Sequence, residues 1–144
     1  LGSPVSNKVI NEPIGRHPTK RTKQAVNQKG KEAVTRISVK ESYKGYSLLK
    51  VNLETGRTHQ IRVHLSYIGH PIVGDSTYGG RKKFAPGSSG IVLEKIGDFK
   101  RQALHAAQLE LTHPSTNKVI SFKSEIPSDM EDLIDTLKTS WNLN

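Results

Sequence analysis

Two runs of β-branched and apolar residues flank a single glycine turn in the middle of the chain. Val34, Ile37 and Val39 lie in the first run, and Tyr46 to Leu53 alternates imperfectly around Leu48, Leu49, Val51 and Leu53 in the second. Between them stands Lys44-Gly45, so the two runs read as strands of one hairpin. The remaining elements have to be arranged around this pair. Residues 1–30 show no sustained periodicity, and Pro4, Pro13 and Pro18 interrupt any helix there, so they read as an irregular basic segment preceding a body of residues 31–144. Leu104 to Leu111 and Val119 to Phe122 suggest a second strand pair that turns at His113-Pro114-Ser115-Thr116-Asn117. Ser128-x-x-Glu131 has the form of a capping box, and Met130, Leu133, Ile134 and Leu137 follow it at helical spacing. Gly79 to Gly90 reads as a loop, and Asp98 is placed in a loop as well. Thr58 to Ile68 fits two descriptions: Ile61, Val63 and Leu65 alternate as in a strand, whereas Ile61, Leu65 and Ile68 share one helical face. The pattern as a whole is that of a single mixed α/β domain over residues 1–144.

Charge narrows the partner class. The 144 residues carry a net +9, of which +7 falls within residues 1–45. Such a concentrated positive field attracts a polyanion through counterion release, which favours nucleic acid; the plainer alternative is a solvated basic face that aids solubility. No stretch approaches 18 consecutive apolar residues, none forms a basic amphipathic helix, and the start of the sequence lacks the apolar core of a signal peptide. Membrane association and secretion therefore receive no support. The absence of cysteine excludes disulfides, thiolate metal sites and cysteine nucleophiles. His59, His64 and His70 are spaced by five and six residues, which fits neither a His-x-x-x-His pair nor a usual zinc pattern, so no metal site is assigned.

Chemistry concentrates in Glu54-Thr-Gly-Arg-Thr-His-Gln-Ile-Arg-Val-His-Leu65 and Gly69-His-Pro-Ile-Val-Gly-Asp-Ser-Thr-Tyr-Gly-Gly80. A helix starting near Thr58 would offer free backbone N–H groups beside Arg57, suiting a phosphate or carboxylate bound by Arg57, Thr58 and His59. Arg62, flanked by Ile61 and Val63, projects from a packed element, where a guanidinium is normally held bidentately by a carboxylate. That pair could be purely structural or part of a reacting site. Arg16, Lys20, Arg21 and Lys23 bracket a Pro-restricted loop with no acidic residue between Arg16 and Lys31, which makes them candidate phosphate contacts.

Five segments, in order, resemble the RluA-type pseudouridine synthases: Arg16-His-Pro-Thr-Lys-Arg21, Gly56-Arg-Thr-His-Gln-Ile-Arg-Val-His64, Gly69-His-Pro-Ile-Val-Gly-Asp75 with Tyr78-Gly79, Arg101-Gln-Ala-Leu-His-Ala106, and His113-Pro114. The resemblance implies the mixed, largely antiparallel α/β pseudouridine-synthase fold and an isomerase acting on uridine in RNA, most often large-subunit ribosomal RNA, in the cytoplasm or an organelle. It implies cleavage of the C1'–N1 bond and reattachment of the uracil through C5, without cofactor or metal. Arg62 matches the family's residue that pairs with the catalytic aspartate, and Leu104 matches an apolar position of the uracil pocket, the alternative being an ordinary core leucine.

The family's catalytic aspartate lies in an Arg-Leu-Asp motif that this sequence does not contain. Its five aspartates are Asp75, Asp98, Asp129, Asp132 and Asp135, and none matches the nucleophile. The chain is therefore expected to be the C-terminal part of a synthase catalytic domain, inactive alone; the alternative is a non-catalytic RNA-binding module or degenerate synthase. As such a part it is expected to leave apolar surface and a sheet edge uncovered, to self-associate or be covered by a neighbour there, and to leave Arg62 without its carboxylate mate.

Overall fold

A computed structural model describes residues 1–4, 6–80 and 84–142. The expected central hairpin forms as β4 (Val34–Tyr43) and β5 (Tyr46–Leu53), antiparallel and turning at Lys44-Gly45, with a register shift between Val39 and Glu41. Preceding it are β1 (Lys8–Asn11), β2 (Ile14–Arg16) and β3 (Gln24–Val26). Strand β1 adds to β4, giving the order β1-β4-β5, while β2 and β3 pair as a separate two-stranded ribbon. The first 30 residues are thus not irregular throughout. Strands of three or four residues are too short to show alternation in sequence, and β1 is stabilised by a partner about 26 residues away.

The ambiguous segment is a helix, α1 (Gln60–Tyr67), lying on the sheet. Leu65 is buried with Ile10 and Ile37, and Ile61, Ile68, Leu49, Val51 and Ile72 pack around them. A buried polar chain beneath this layer fixes how α1 sits. His64, fully buried, donates from Nε2 to the Glu12 carbonyl (2.9 Å), and its Nδ1 meets the Thr35 hydroxyl (2.8 Å). Gln60 donates to Thr35 Oγ1 (2.9 Å) and to the Val34 carbonyl (3.0 Å), and its amide oxygen accepts from Thr55 Oγ1 (2.8 Å) and Arg57 N–H (2.9 Å). Each buried polar group is satisfied only while the helix keeps this register on β4, so the network specifies one docking.

Burial holds His64 below the usual histidine pKa, against a smaller opposing effect of the Glu12 carbonyl. The neutral ring is therefore favoured in the folded state. Its contribution to stability is fully present above about pH 6.5, the unfolded value, and is lost as pH falls below that toward the depressed folded pKa. Urea midpoints measured between pH 7.5 and 5 should decline in the native chain. They should decline less in His64→Gln, which should itself cost about 2–3 kcal/mol at neutral pH by breaking a buried network. Equal slopes in the two proteins would remove His64 from this role.

The C-terminal half adds α2 (Gly90–Asp98), β6 (Gln108–Thr112), β7 (Val119–Lys123) and α3 (Ser128–Asn142). Helix α2 was not expected, and it places Asp98 at a helix end rather than in a loop; only Val92 and Ile96 of its residues are buried, too few to display a period. These two pack with Leu133 and Leu137 of α3 and with Tyr43, Tyr46 and Ala85. Part of the loop expected over Gly79–Gly90, residues 81–83, lies outside the described residues. Helix α3 runs as its spacing predicts, but the first carbonyl to accept helical N–H groups is that of Pro127, from Met130 and Glu131, so Ser128 stands in the first turn rather than ahead of it.

The second strand pair begins at Gln108, four residues later than expected, because Arg101 to Ala107 runs outside the ladder. Cross-strand partners Leu109–Phe122 and Leu111–Ile120 share one face of this hairpin. Leu109 is 58% exposed and Phe122 55%. An apolar face on this two-stranded hairpin is left without a cover among the described residues.

Candidate functional site

Helix α1 carries Arg62 toward a tight loop that follows the helix. Gly74 in that loop has φ 76° and approaches the Arg101 carbonyl so closely that a Cβ would stand 2.0 Å from the oxygen. Only glycine allows this, and the turn brings the next residue, Asp75, back onto the helix. Asp75 holds Arg62 bidentately, Nε to Oδ2 at 2.8 Å and Nη2 to Oδ1 at 2.9 Å. Oδ1 also accepts the backbone N–H groups of Thr77 (3.0 Å) and Tyr78 (2.9 Å). The Asp75 side chain is 1% exposed and that of Arg62 13%. Burial alone would raise the Asp75 pKa, but the hydrogen bonds from Arg62, Tyr78 and Thr77 and the charge of Arg62 outweigh it and hold the carboxyl below its ordinary value. Asp75 in turn raises the pKa of Arg62.

The expectation that Arg62 lacks a carboxylate mate is therefore overturned. The packed guanidinium does take a bidentate carboxylate, as its apolar flanks predict, and the Gly74 turn closes the separation of 13 residues between the partners. A guanidinium has five N–H donors, and Asp75 takes one from Nε and one from Nη2. No partner for Nη1 occurs among the described residues.

One face of Arg62 rests on Tyr78, its guanidinium carbon 4.8 Å from the ring centroid. The Tyr78 hydroxyl accepts the Gln24 N–H (3.0 Å) and meets His59 Nδ1 at 2.8 Å, and the His59 ring stands edge-on to Tyr78. In the sequence Tyr78 appears only within the Tyr78-Gly79 motif and is given no role; its place three residues after Asp75 is the available signal.

The basic ribbon β2–β3 lies directly beside this group. Its connecting loop is braced by His17, whose Nδ1 accepts the N–H groups of Thr19 (3.2 Å) and Lys20 (3.1 Å). Arg16, Lys20 and Arg21 are exposed there, as a phosphate-contacting role requires. Lys23 differs: its ammonium donates to the Thr77 carbonyl and lies 5.9 Å from the Tyr78 ring centroid, so it serves as an internal tie.

Arg57, Thr58 and His59 are exposed just before α1, which starts at Gln60 rather than near Thr58. The free anion cradle expected there is partly taken up: Arg57 N–H is capped by the Gln60 side chain, and Arg57 Nε donates to the Glu32 carbonyl (2.8 Å). His59 adopts a left-handed φ of 57° that turns its ring toward Tyr78. Leu104 is half-buried, and the neighbouring Ala103 N–H donates to the Val73 carbonyl (2.8 Å), two residues from Asp75. The structure thus gathers Arg62, Asp75, Tyr78, His59 and Lys23 in one cluster, pins the Leu104 segment beside its loop, and leaves Arg16, Lys20 and Arg21 on the adjoining ribbon.

The chain is similar to known proteins over most of its length. Residues 2–67 match the family described as RNA pseudouridylate synthase. Ribosomal large subunit pseudouridine synthase D of Pasteurella multocida is 45% identical over 136 residues, 94% of this chain and 42% of that protein; the Escherichia coli K12 protein of the same name is 43% identical over 98% of this chain and 43% of its own length. The chain thus spans less than half the length of these curated relatives. Among solved structures, human RNA pseudouridylate synthase domain containing 4 superposes with a TM-score of 0.66 at 27% identity, over 92% of this chain and 57% of that one. Human RNA pseudouridylate synthase domain containing 1 gives 0.63 at 27%, over 95% and 62%. In its mixed α/β fold, its antiparallel sheets and the motif residues assembled around Arg62, the chain is thus similar over most of its length to the ribosomal large subunit pseudouridine synthases, in line with its RluA-type motifs.

Proposed function

We propose that this chain is the C-terminal part of the catalytic domain of an RNA pseudouridine synthase, acting on large-subunit ribosomal RNA in the cytoplasm or an organelle. The observation that carries the reading is the Arg62 guanidinium, fixed on one edge by Asp75 and on one face by Tyr78 while Nη1 keeps its donors uncommitted among the described residues. A second carboxylate could take that end without displacing Asp75. In the reaction, an upstream aspartate would attack the nucleoside. Arg62 would keep that aspartate ionised and aimed, Leu104 would line the uracil pocket, and Arg57, Thr58 and His59 would stand beside the bound nucleotide. Two of the chain's five aspartates are poor nucleophiles on their bonding alone: Asp75 is buried and doubly bonded to Arg62, and Asp129 is held bidentately by Arg101. The uncovered apolar face of β6–β7 fits a unit that packs against the rest of a larger domain.

The natural reading frame upstream of Leu1 provides the first test. An Arg-Leu-Asp motif there supports the synthase, and its absence favours an RNA-binding module that lacks the nucleophile.

RNA binding itself is tested through salt. If Arg16, Lys20 and Arg21 neutralise phosphates, log Kd against log salt between about 50 and 200 mM should be steep, since each phosphate contact contributes a slope of about 0.7–0.9. Changing all three to Ala should lower the slope by about 2–3. Lys23→Ala should lower it by much less, because its ammonium is already tied to Thr77. A flat response, or no change in the triple variant, would assign these residues to solubility.

A further inference from the structure

The basic ribbon and the Arg62 pair are joined through a single side chain. Each polar atom of Tyr78 is committed: its N–H donates to Asp75 Oδ1 (2.9 Å), its carbonyl accepts from Ser66 Oγ of α1 (2.8 Å), and its hydroxyl accepts the N–H of Gln24 in β3 (3.0 Å) and meets His59 Nδ1 (2.8 Å). Its ring lies under the Arg62 guanidinium on one side and near the Lys23 ammonium, while half-buried Tyr78 packs against Ile14, Ala33 and Val63. Lys23 reinforces the same junction by donating to the Thr77 carbonyl. Three of these contacts, those of Gln24 and Lys23 with Thr77 and Tyr78, cross 54 residues of sequence or more and reach the ribbon that exposes Arg16, Lys20 and Arg21.

We propose that Tyr78 is a positioning residue that couples RNA contact at the β2–β3 ribbon to the orientation of the Arg62 guanidinium. The inference rests on the RNA-binding reading above and assigns to Tyr78 a role distinct from contact with substrate. Its two halves do different work. The ring supports the guanidinium plane, and the hydroxyl latches that ring to β3. A ribbon displaced by phosphate binding pulls on Gln24 and Lys23, and through them on the aromatic plate beneath Arg62. Because Asp75 fixes the Nε and Nη2 edge, the motion left to Arg62 is a tilt about that edge, which moves Nη1. Arg62 would thus be brought to its working orientation when the ribbon is occupied.

The two halves separate by substitution. Tyr78→Phe keeps the ring and removes the hydroxyl latch; Tyr78→Leu removes both. The measurement is a ¹⁵N–¹H titration of the 144-residue chain with a uridine-containing RNA stem-loop, following the Arg62 Nε–H signal together with the backbone amides of Lys20 and Arg21. In the native chain all three should shift with one midpoint. In Tyr78→Phe the ribbon amides should still shift, with Kd changed less than about threefold, while the RNA-linked shift of Arg62 Nε–H is lost and its protection in the free protein is retained. In Tyr78→Leu that protection should fall as well; should this variant not fold, Tyr78→Phe decides alone. An Arg62 signal that responds fully in Tyr78→Phe, or ribbon amides that shift in the native chain without Arg62, would overturn the coupling while leaving RNA binding in place. Ribbon amides that do not respond to RNA at all would overturn the RNA reading itself and the coupling with it.

Discussion

Incubated with uridine-containing ribosomal RNA, the 144-residue chain is expected to form no pseudouridine, whereas a longer protein that adds an upstream Arg-Leu-Asp segment is expected to form it readily. The outcome depends on which carboxylates can react. A nucleophile must be ionised, reachable and free of strong bonds, and Asp75 fails the last two conditions with a side chain 1% exposed and two bonds to Arg62. Asp129 is spent on Arg101, Asp132 is paired with Lys95, and neither Asp98 at the end of α2 nor Asp135 on α3 makes a hydrogen bond or ion pair with Arg62 among the described residues. In the longer protein, Arg62→Ala should lower kcat by about 10²-fold or more, the order of loss when a charge-stabilising donor leaves an active site. Arg62→Lys should recover little, because an ammonium cannot serve two carboxylates from a planar fork. Conversion is read by mass spectrometry of digested RNA. Pseudouridine formed by the 144-residue chain alone would show that a residue within it can act as nucleophile, and the proposed division of labour would fail.

Replacing Asp75 is expected to have the largest effect on stability. Asp75→Ala leaves the guanidinium of Arg62, 13% exposed, without its counter-charge and frees the N–H groups of Thr77 and Tyr78. Breaking a buried pair from one side costs about 3–5 kcal/mol, against a total stability of about 5–15 kcal/mol for an ordinary domain. The variant should therefore sit near its unfolding threshold at 25 °C. Acid has the same target. Because the folded-state pKa of Asp75 is depressed, its contribution is present above the unfolded value of about 3.9 and is lost as pH falls through the folded value. Urea denaturation at pH 7 and near pH 3 checks both statements: the native chain should lose stability in acid, and Asp75→Asn should start lower but lose less. If Asp75→Ala shifts the urea midpoint no more than a surface substitution does, the pair has no structural weight.

Much of this was legible because it is short-range. A glycine between two β-branched runs makes the β4–β5 hairpin, and apolar spacing makes α3, since turn chemistry and helical period act within a few residues. The demand of Arg62 for a bidentate carboxylate was equally readable, because it follows from a guanidinium among apolar neighbours. Which carboxylate answers it was not. That choice depends on a turn at Gly74 and on a helix whose alternative as a strand would have pointed Arg62 elsewhere; burial of Leu65 against Ile10 and Ile37, together with the His64–Thr35–Gln60 chain, decides for the helix. The roles of Lys23 and Tyr78 likewise hang on contacts across 54 residues. By itself the sequence determined the chemical inventory, the locally encoded elements and the family motifs. Only the tertiary structure decided the partners, because pairing between distant charges and rings is settled by how sheet, helix and ribbon pack together, and no local pattern carries that information.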